Sequence, residues 1–301
     1  MPMTIAVVAI PVSGPAWRRR QAEDIARQIR ETLGRHLMDG GVSFTSEPGH
    51  ATRLARTAID SGADVVIAWG GDGTVNEVAS ALVDSRAALG IVPVGSGNGL
   101  ALELGIPPRP DDALAVALRG GNRLIDVGDL NGRLFFNCAG VGFDAHVAAA
   151  FAASAGRVRG LVSYATIGVR EFVRYQAGTY RIETEGAAAA EVRALLISVA
   201  NTRQWGNGAL IAPGAIMDDD RLDVVVIPPH HPVTVLANLW RLFAGSIAAW
   251  KGVETRQVRA ATITATPPAP VHVDGEPLGR LSTIRIQVKR AGLRVRVPAG
   301  K

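Results

Sequence analysis

The sequence predicts an α/β domain built on a parallel sheet, followed by a mainly β domain. Three observations predict it. Up to Gly120-Gly121, short β-branched runs alternate with helical segments. Beyond that point, strand and turn signals dominate. Glycine-bearing loops also follow three of the early strands, where doubly wound sheets bind ligands.

Taken in order, Ile5–Ile10 reads as a strand and Trp17–His36 as a charged helix. Val42–Thr45 is a second strand and His50–Ser61 a second helix. Val65–Trp69 is apolar throughout, as expected of a parallel strand covered on both faces. Val75–Asp84 reads as a helix, Leu89–Val94 as a strand and Asp111–Arg119 as a helix. The pattern then changes. Asp126–Leu130 and Leu134–Val141 flank Asn131-Gly132, a strong hairpin signal. Gly178–Glu185 and Val192–Ala200 flank Gly186, Leu222–Ile227 is another strand, and the chain's end is strand and turn with a tight Asp274-Gly275. Helices are expected near 143–153, 159–174 and 233–251. The expected domains are 1–121 and 122–301, with the last strand able to pack back on the first.

With 301 residues, 48% hydrophobic and 20% charged, the chain reads as packed and globular, long enough for two domains of ordinary size or one large one. Aromatics are 5%, so the core rests mostly on Ala, Val, Leu and Ile. Cys138 is the only cysteine, which excludes an internal disulfide and a cysteine-rich zinc site and suits a reducing cytoplasm. The apolar run Thr4–Val12 lacks preceding positive charge and contains Pro11, so it reads as a buried strand rather than a signal peptide. Val233–Trp250 carries Asn238 and Arg241 and is not expected to span a membrane. A net charge of +5 favours polyanions such as nucleotide phosphates or an anionic lipid surface. No nucleic-acid-binding signature accompanies it, so nucleic acid is not the expected partner.

The densest signal is Gly70-Gly71-Asp72-Gly73-Thr74-Val75-Asn76-Glu77, directly after the third strand. Glycines bring bare backbone N–H groups against phosphate oxygens. Thr74 and Glu77 have the spacing of a capping box, which would start a helix with its positive end at the same place. Gly95-Ser96-Gly97-Asn98-Gly99 follows the fourth strand, and Pro11-Val12-Ser13-Gly14 the first. Each alone is an ordinary strand-to-helix turn. Three together predict a nucleotide cleft.

With GGDGTVNEV at Gly70–Val78, PVGSGNGLA at Pro93–Ala101 and NCAGVGFDAHV at Asn137–Val147, the sequence resembles the diacylglycerol kinase catalytic family, which includes bacterial lipid kinases and sphingosine kinases. APGAIMDDDRLDVVVI at Ala212–Ile227 and VDGEPL at Val273–Leu278 extend the resemblance over nearly the whole chain. GGDG alone is shared with NAD kinases. The resemblance implies an N-terminal nucleotide domain, a C-terminal β-sandwich and an active site in the cleft between them. It implies an ATP- and Mg²⁺-dependent kinase that phosphorylates a hydroxyl of a diacylglycerol or sphingoid-type lipid. ATP would lie against Gly70, Gly71, Asp72, Gly73, Thr74, Asn76 and Glu77, against Gly95, Ser96 and Asn98, and against Ser13 and Gly14, with Thr45 near. The base would be Glu276, as in bacterial members, or Asp72, as in sphingosine kinases. A structural Mg²⁺ would take the Asp219 side chain with the Ile216 and Arg221 carbonyls as neighbours. Read without the family, Glu276 is an exposed turn charge and Asp218–Asp220 a solvated acidic turn.

Ile10, Pro15 and Gly99 depart from the family pattern, where Asn, a basic residue and Asp are usual. Leu236, Trp240, Phe243, Ile247 and Trp250 recur at helical spacing, forming either a core face or a lipid-facing groove wall. Phe151, Leu161, Tyr164 and Phe172 pose the same choice. Arg157, Arg159, Arg170, Arg174 and Trp17-Arg18-Arg19-Arg20 could meet anionic headgroups. The expected setting is a cytoplasmic protein peripheral to the inner membrane face, meeting its lipid substrate there, with a homodimer left open. Competing readings are an NAD kinase-like enzyme acting on a soluble acceptor and a non-catalytic nucleotide- or lipid-binding regulator.

Overall fold

The computed structural model describes residues 4–9, 26–27, 29, 31, 37–153, 168, 170–172, 174–206 and 208–299. The loop of Ser13 and Gly14, with Ile10, Pro15 and Trp17–Arg20, lies outside them, as do Arg157, Arg159, Leu161 and Tyr164. The chain forms two compact units: residues up to Ile125 together with Gly292 onwards, and Asp126–Ala291.

In the first unit, β1 (Ile5–Ala9), β2 (Leu37–Phe44), β3 (Val65–Gly70) and β4 (Ala88–Pro93) are all parallel, in the order β4-β3-β1-β2. The chain moves outward from β1 to β2, then returns to the other side of β1 for β3. The sheet is therefore doubly wound, with its switch point between β1 and β3. Every residue of β3 and β4 is buried, which is why both read as unbroken apolar runs. The helices are α1 (His50–Asp60), α2 (Asp72–Leu82), α3 (Gly99–Glu103) and α4 (Pro110–Arg119). A Cβ on Gly90 would stand 2.9 Å from the Ala117 Cβ, so this glycine sets how closely α4 lies on β4. The end of the chain's final strand joins this sheet, with Val295 parallel to Leu89.

The second unit is mainly β. β5 (Gly121–Leu130) leads into it and pairs with β6 (Arg133–Phe135) across a two-residue turn at Asn131 (φ 51°) and Gly132 (φ 84°). The single strand expected at Leu134–Val141 is instead β6 and β7 (Cys138–Gly142). The break has a cause: the Phe136, Asn137 and Cys138 amides donate to the Asp274 carboxylate. After α5 (Phe143–Ala153) come β8 (Gly178–Thr184), β9 (Ala190–Ala194) and β10 (Leu196–Ala200). The expected strand Val192–Ala200 is thus also split, at Leu195, whose amide donates to the Ile227 carbonyl and whose carbonyl accepts from Phe143.

β11 (Gln204–Gly206) and β12 (Ala209–Leu210) form a small separate pair, followed by β13 (Leu222–Ile227). The helix expected over 233–251 is broken into α6 (Pro232–Asn238), α7 (Trp240–Phe243) and a 3₁₀ turn at Ile247–Ala249. Gly245, in the left-handed region at φ 62°, ends the second piece and lets the chain turn beside Leu210 and Pro213. β14 (Glu254–Val258), β15 (Ala260–Val273) and β16 (Glu276–Val297) complete the chain.

β14, β13, β10, β7 and β15 lie side by side and antiparallel. β15 pairs with β7 through Val271–Val273 but with β8 through Ala261–Ala265, so one strand serves both layers of a sandwich-like unit. Its pairing with β16 is interrupted between Thr264 and Ala269, where Pro267 and Pro268 supply no amide to the ladder. Side chains of β10 and β13 alternate between two cores. Ile197, Val199, Val224 and Val226 join Phe135, Tyr180 and Ile263, while Leu196, Ala200, Val225 and Ile227 join Cys138, Ile211 and Trp250. No described helix is long and apolar enough to cross a membrane.

Candidate functional site

The GGDG loop leaves β3 at the carboxyl edge of the parallel sheet, beside the switch point. α2 begins at Asp72, earlier than expected, with Gly71 as its N-cap and no side-chain cap. The anticipated Thr74–Glu77 capping box does not form. Glu77 caps a different helix: its Oε1 accepts the Gly49 amide at 2.8 Å and its Oε2 the Ala51 amide at 2.9 Å, while Thr52 Oγ1 donates to its carbonyl. Gly49 stands in the left-handed region at φ 78° and α1 has no cap of its own, so Glu77 supplies the acceptors that α1's first turn lacks.

Asp72 ties the two glycine loops together. Its Oδ2 accepts the Asn98 amide and its Oδ1 the Gly99 amide, both at 2.8 Å. Asn98 is itself left-handed at φ 53°, and its side chain closes on Gly95 through both its oxygen (3.0 Å) and its nitrogen (2.8 Å). The Val94 amide donates to the Gly70 carbonyl. Gly71 and Gly95 meet backbone to backbone, and a Cβ on Gly95 would stand 2.5 Å from the Gly71 Cα. Gly95→Ala should therefore push the loops apart, destabilising the protein by about 1–3 kcal/mol in denaturant unfolding and weakening nucleotide binding. Gly73, in the first turn of α2, and Ser96, in the second glycine loop, are exposed. The amides of α2's first turn have no intrahelical acceptor, which with the helix's positive end suits an anion. Thr45 closes the end of β2, its amide donating to the Ala9 carbonyl at 3.0 Å, and Asn76 lies on α2 with Ser80 Oγ 3.4 Å from its Oδ1.

Glu276 is the first residue of β16, after the turn at Asp274 (φ 45°) and Gly275 (φ 83°). It is exposed, with Arg133 at 3.6 Å. The turn behind it is fixed by half-buried Asp274 and buried His272, neither of them in the expected site. Asp274 gathers the Phe136, Asn137 and Cys138 amides at 2.9–3.0 Å. His272 Nδ1 accepts the Gly275 amide at 3.1 Å, so its ring proton sits on Nε2 and faces Asp144 Oδ2 at 3.2 Å. Gly140 leaves the room that this pair fills. Burial, helped by Asp274 and Asp144, pushes the Cys138 thiol well above its ordinary range, so it is no nucleophile. The one cue in the sequence for this network was a histidine two positions before the Asp-Gly turn.

Ile216, Asp219 and Arg221 share one turn, which buried Asp126 organises. Asp126 Oδ2 accepts the Asp220 amide and its Oδ1 the Ala291 amide, while its own amide donates to the Met217 carbonyl, each at 2.6 Å. Asp219 Oδ1 accepts the Arg221 amide at 3.1 Å, and Oδ2 meets Gln257 at 3.4 Å. Burial pushes the Asp219 carboxyl up, with the Asp126 charge adding to it, and Asp223 is raised by burial and by Asp219. A cation would relieve that repulsion, and one carboxylate with turn carbonyls is the hard oxygen set that Mg²⁺ takes. Among the described residues, no group of three or more His, Cys, Asp or Glu could hold a metal. Such a site would therefore depend on carbonyls.

Two family models match. The diacylglycerol kinase catalytic domain matches residues 4–130, and the YegS C-terminal NAD kinase beta sandwich-like domain matches residues 137–297. A protein of Pseudomonas aeruginosa PAO1 described as "Probable lipid kinase YegS-like" is 37% identical over 274 residues, covering 89% of this chain and 86% of its own. One of the same description from Pectobacterium atrosepticum is 34% identical, covering 90% and 91%. A diacylglycerol kinase from Bacillus anthracis superposes with TM-score 0.74 at 20% identity, covering 98% of this chain and 96% of that one. An NAD kinase from Archaeoglobus fulgidus in complex with ATP superposes at 0.56 with 14% identity, covering 97% and 93%. At these identities the two structures speak for the fold alone.

Proposed function

We propose, because this chain belongs to the diacylglycerol kinase catalytic family, that it transfers the γ-phosphoryl group of ATP to a hydroxyl of a membrane lipid of diacylglycerol or sphingoid type. The observation that carries the reading is the Asp72 clasp. It holds two glycine loops as one rim of amides at the switch point of a doubly wound sheet, where a nucleotide's phosphates are held in such folds.

Phosphoryl transfer needs alignment and charge neutralisation more than covalent help from the protein. In this reading the amides of Gly71, Asp72, Gly73 and Thr74 hold the donor phosphates, with Ser96 in the second glycine loop and Thr45 near. Ser13 and Gly14 would add a third loop. Glu276 takes the proton from the lipid hydroxyl as the hydroxyl oxygen bonds to the γ-phosphorus and the bond from that phosphorus to the β–γ bridging oxygen breaks, with ADP leaving. Asp72 is the weaker candidate for the base, since both of its oxygens already accept amides. Asp219 with the Ile216 and Arg221 carbonyls would hold Mg²⁺, which when bound would neutralise this acidic turn. The +5 charge and the lipid acceptor support a cytoplasmic protein peripheral to the membrane.

The test is incubation with labelled ATP and Mg²⁺, offering lipid micelles and NAD in parallel. The reading expects labelled lipid. Label only in the dinucleotide would support the NAD kinase-like alternative. Nucleotide binding without any transfer would support a regulator.

A further inference from the structure

Among the described residues, nine large apolar side chains are turned to solvent, and five of them fall between Val233 and Phe243. They are Val233 (67% exposed), Leu236, Leu239, Trp240 (57%) and Phe243 (55%). The same stretch also has an inward side, because Val235 and Leu242 pack on the core around Ile211, Val225 and Trp250. A surface helix ordinarily turns apolar residues to the core and polar ones to water. This segment is apolar on both sides. The expected groove wall is thus divided: Ile247 and Trp250 are buried, while Leu236, Trp240 and Phe243 face outward.

Along the chain, the charged residues flanking this patch within 224–253 have one sign. From Val224 to Val253 the chain contains no Asp or Glu, but it does contain Arg241 and Lys251. The Arg241 guanidinium lies 4.9 Å from the Trp240 ring centroid, and Lys251 is exposed. Helices of seven and four residues cannot cross a bilayer, so whatever covers them is met at a surface.

We propose that Val233–Phe243 is the protein's docking element for an anionic bilayer. Trp240 and Phe243 enter at the headgroup level, and Arg241 and Lys251 lie against lipid phosphates. Aromatic and aliphatic side chains flanked by cations suit that interface. A second copy of the chain suits it poorly: a two-fold contact would bring both copies' Arg241 and Lys251 together, and the stretch itself carries no carboxylate to answer them. The inference rests on the lipid-kinase reading and adds to it the surface through which the acceptor's membrane is met.

The test is co-sedimentation with phosphatidylcholine vesicles, with and without phosphatidylglycerol, alongside turnover on vesicle-borne and micellar lipid. Wild type should partition onto the anionic vesicles and be released by salt. V233S/W240S/F243S should lower that partition about tenfold or more, with vesicle turnover falling in step and micellar turnover within about twofold of wild type. R241Q/K251Q, which keeps every apolar side chain of the patch, should lose the salt-sensitive part of binding and serves if the triple variant folds poorly. Equal partition of wild type and both variants would overturn the proposal, as would equal wild-type binding to neutral and anionic vesicles. A dimer dissolved by the triple substitution, with vesicle binding unchanged, would overturn it in favour of a second copy. If wild type shows the expected partition but phosphorylates lipid in neither format, the docking surface stands and the lipid-kinase reading falls.

Discussion

Glu276→Gln is expected to lower turnover by about 10²- to 10⁴-fold, the usual contribution of a placed general base, while leaving nucleotide affinity unchanged. The geometry makes this substitution a clean one. Glu276 lies outside the hydrogen-bonded network that fixes its turn, which consists of Asp274 on three amides and His272 on Gly275. Its contact with Arg133, at 3.6 Å between two exposed side chains, belongs to the class of surface pairs worth about 0–1 kcal/mol. Glutamine keeps the size and one carbonyl oxygen but cannot take a proton. Denaturant unfolding should therefore shift by no more than about 1 kcal/mol, and a fall in turnover can be read as lost chemistry rather than lost fold. Steady-state turnover and equilibrium nucleotide binding on the same preparation provide the check. Turnover like that of wild type would remove Glu276 from the mechanism.

The network around that glutamate marks where sequence reasoning stops. The parallel strands, the mainly β unit, and the Asn131-Gly132 and Asp274-Gly275 turns were legible because each is written in a short window: a period, an apolar run or a dipeptide. Asp274's hold on the Phe136–Cys138 amides spans more than 130 positions, and no local rule foretells a strand broken by a distant carboxylate. Glu77 failed in the instructive way. Its spacing from Thr74 has the form of a capping box, yet its carboxylate reaches across to α1, because Gly71 already starts α2 and the left-handed Gly49 leaves α1 open. The apolar period over 233–251 looked like one helix with one face. In the fold Gly245 interrupts it, and the two halves point their largest side chains to different surroundings.

Asp72→Asn should separate two roles that the sequence left joined. If Asp72 is a clasp, what matters is that both of its oxygens accept, one from Asn98 and one from Gly99. Asparagine offers one oxygen and one amide nitrogen, so one backbone N–H would face another donor whichever way the side chain is turned. Losing a charge-assisted hydrogen bond and stranding a part-buried donor costs about 1–3 kcal/mol. The loss should appear as lower stability in denaturant. Because the rim that the clasp maintains is the proposed phosphate grip, nucleotide binding should weaken by about tenfold or more, each 1.4 kcal/mol being one factor of ten. A base would respond otherwise: turnover would collapse while stability and nucleotide affinity stayed at wild-type levels. The two carboxylates therefore predict opposite patterns, binding and stability for Asp72 against chemistry alone for Glu276. A variant of Asp72 that behaves as Glu276→Gln is expected to behave would move the proton's destination from the β unit's turn to the glycine loop.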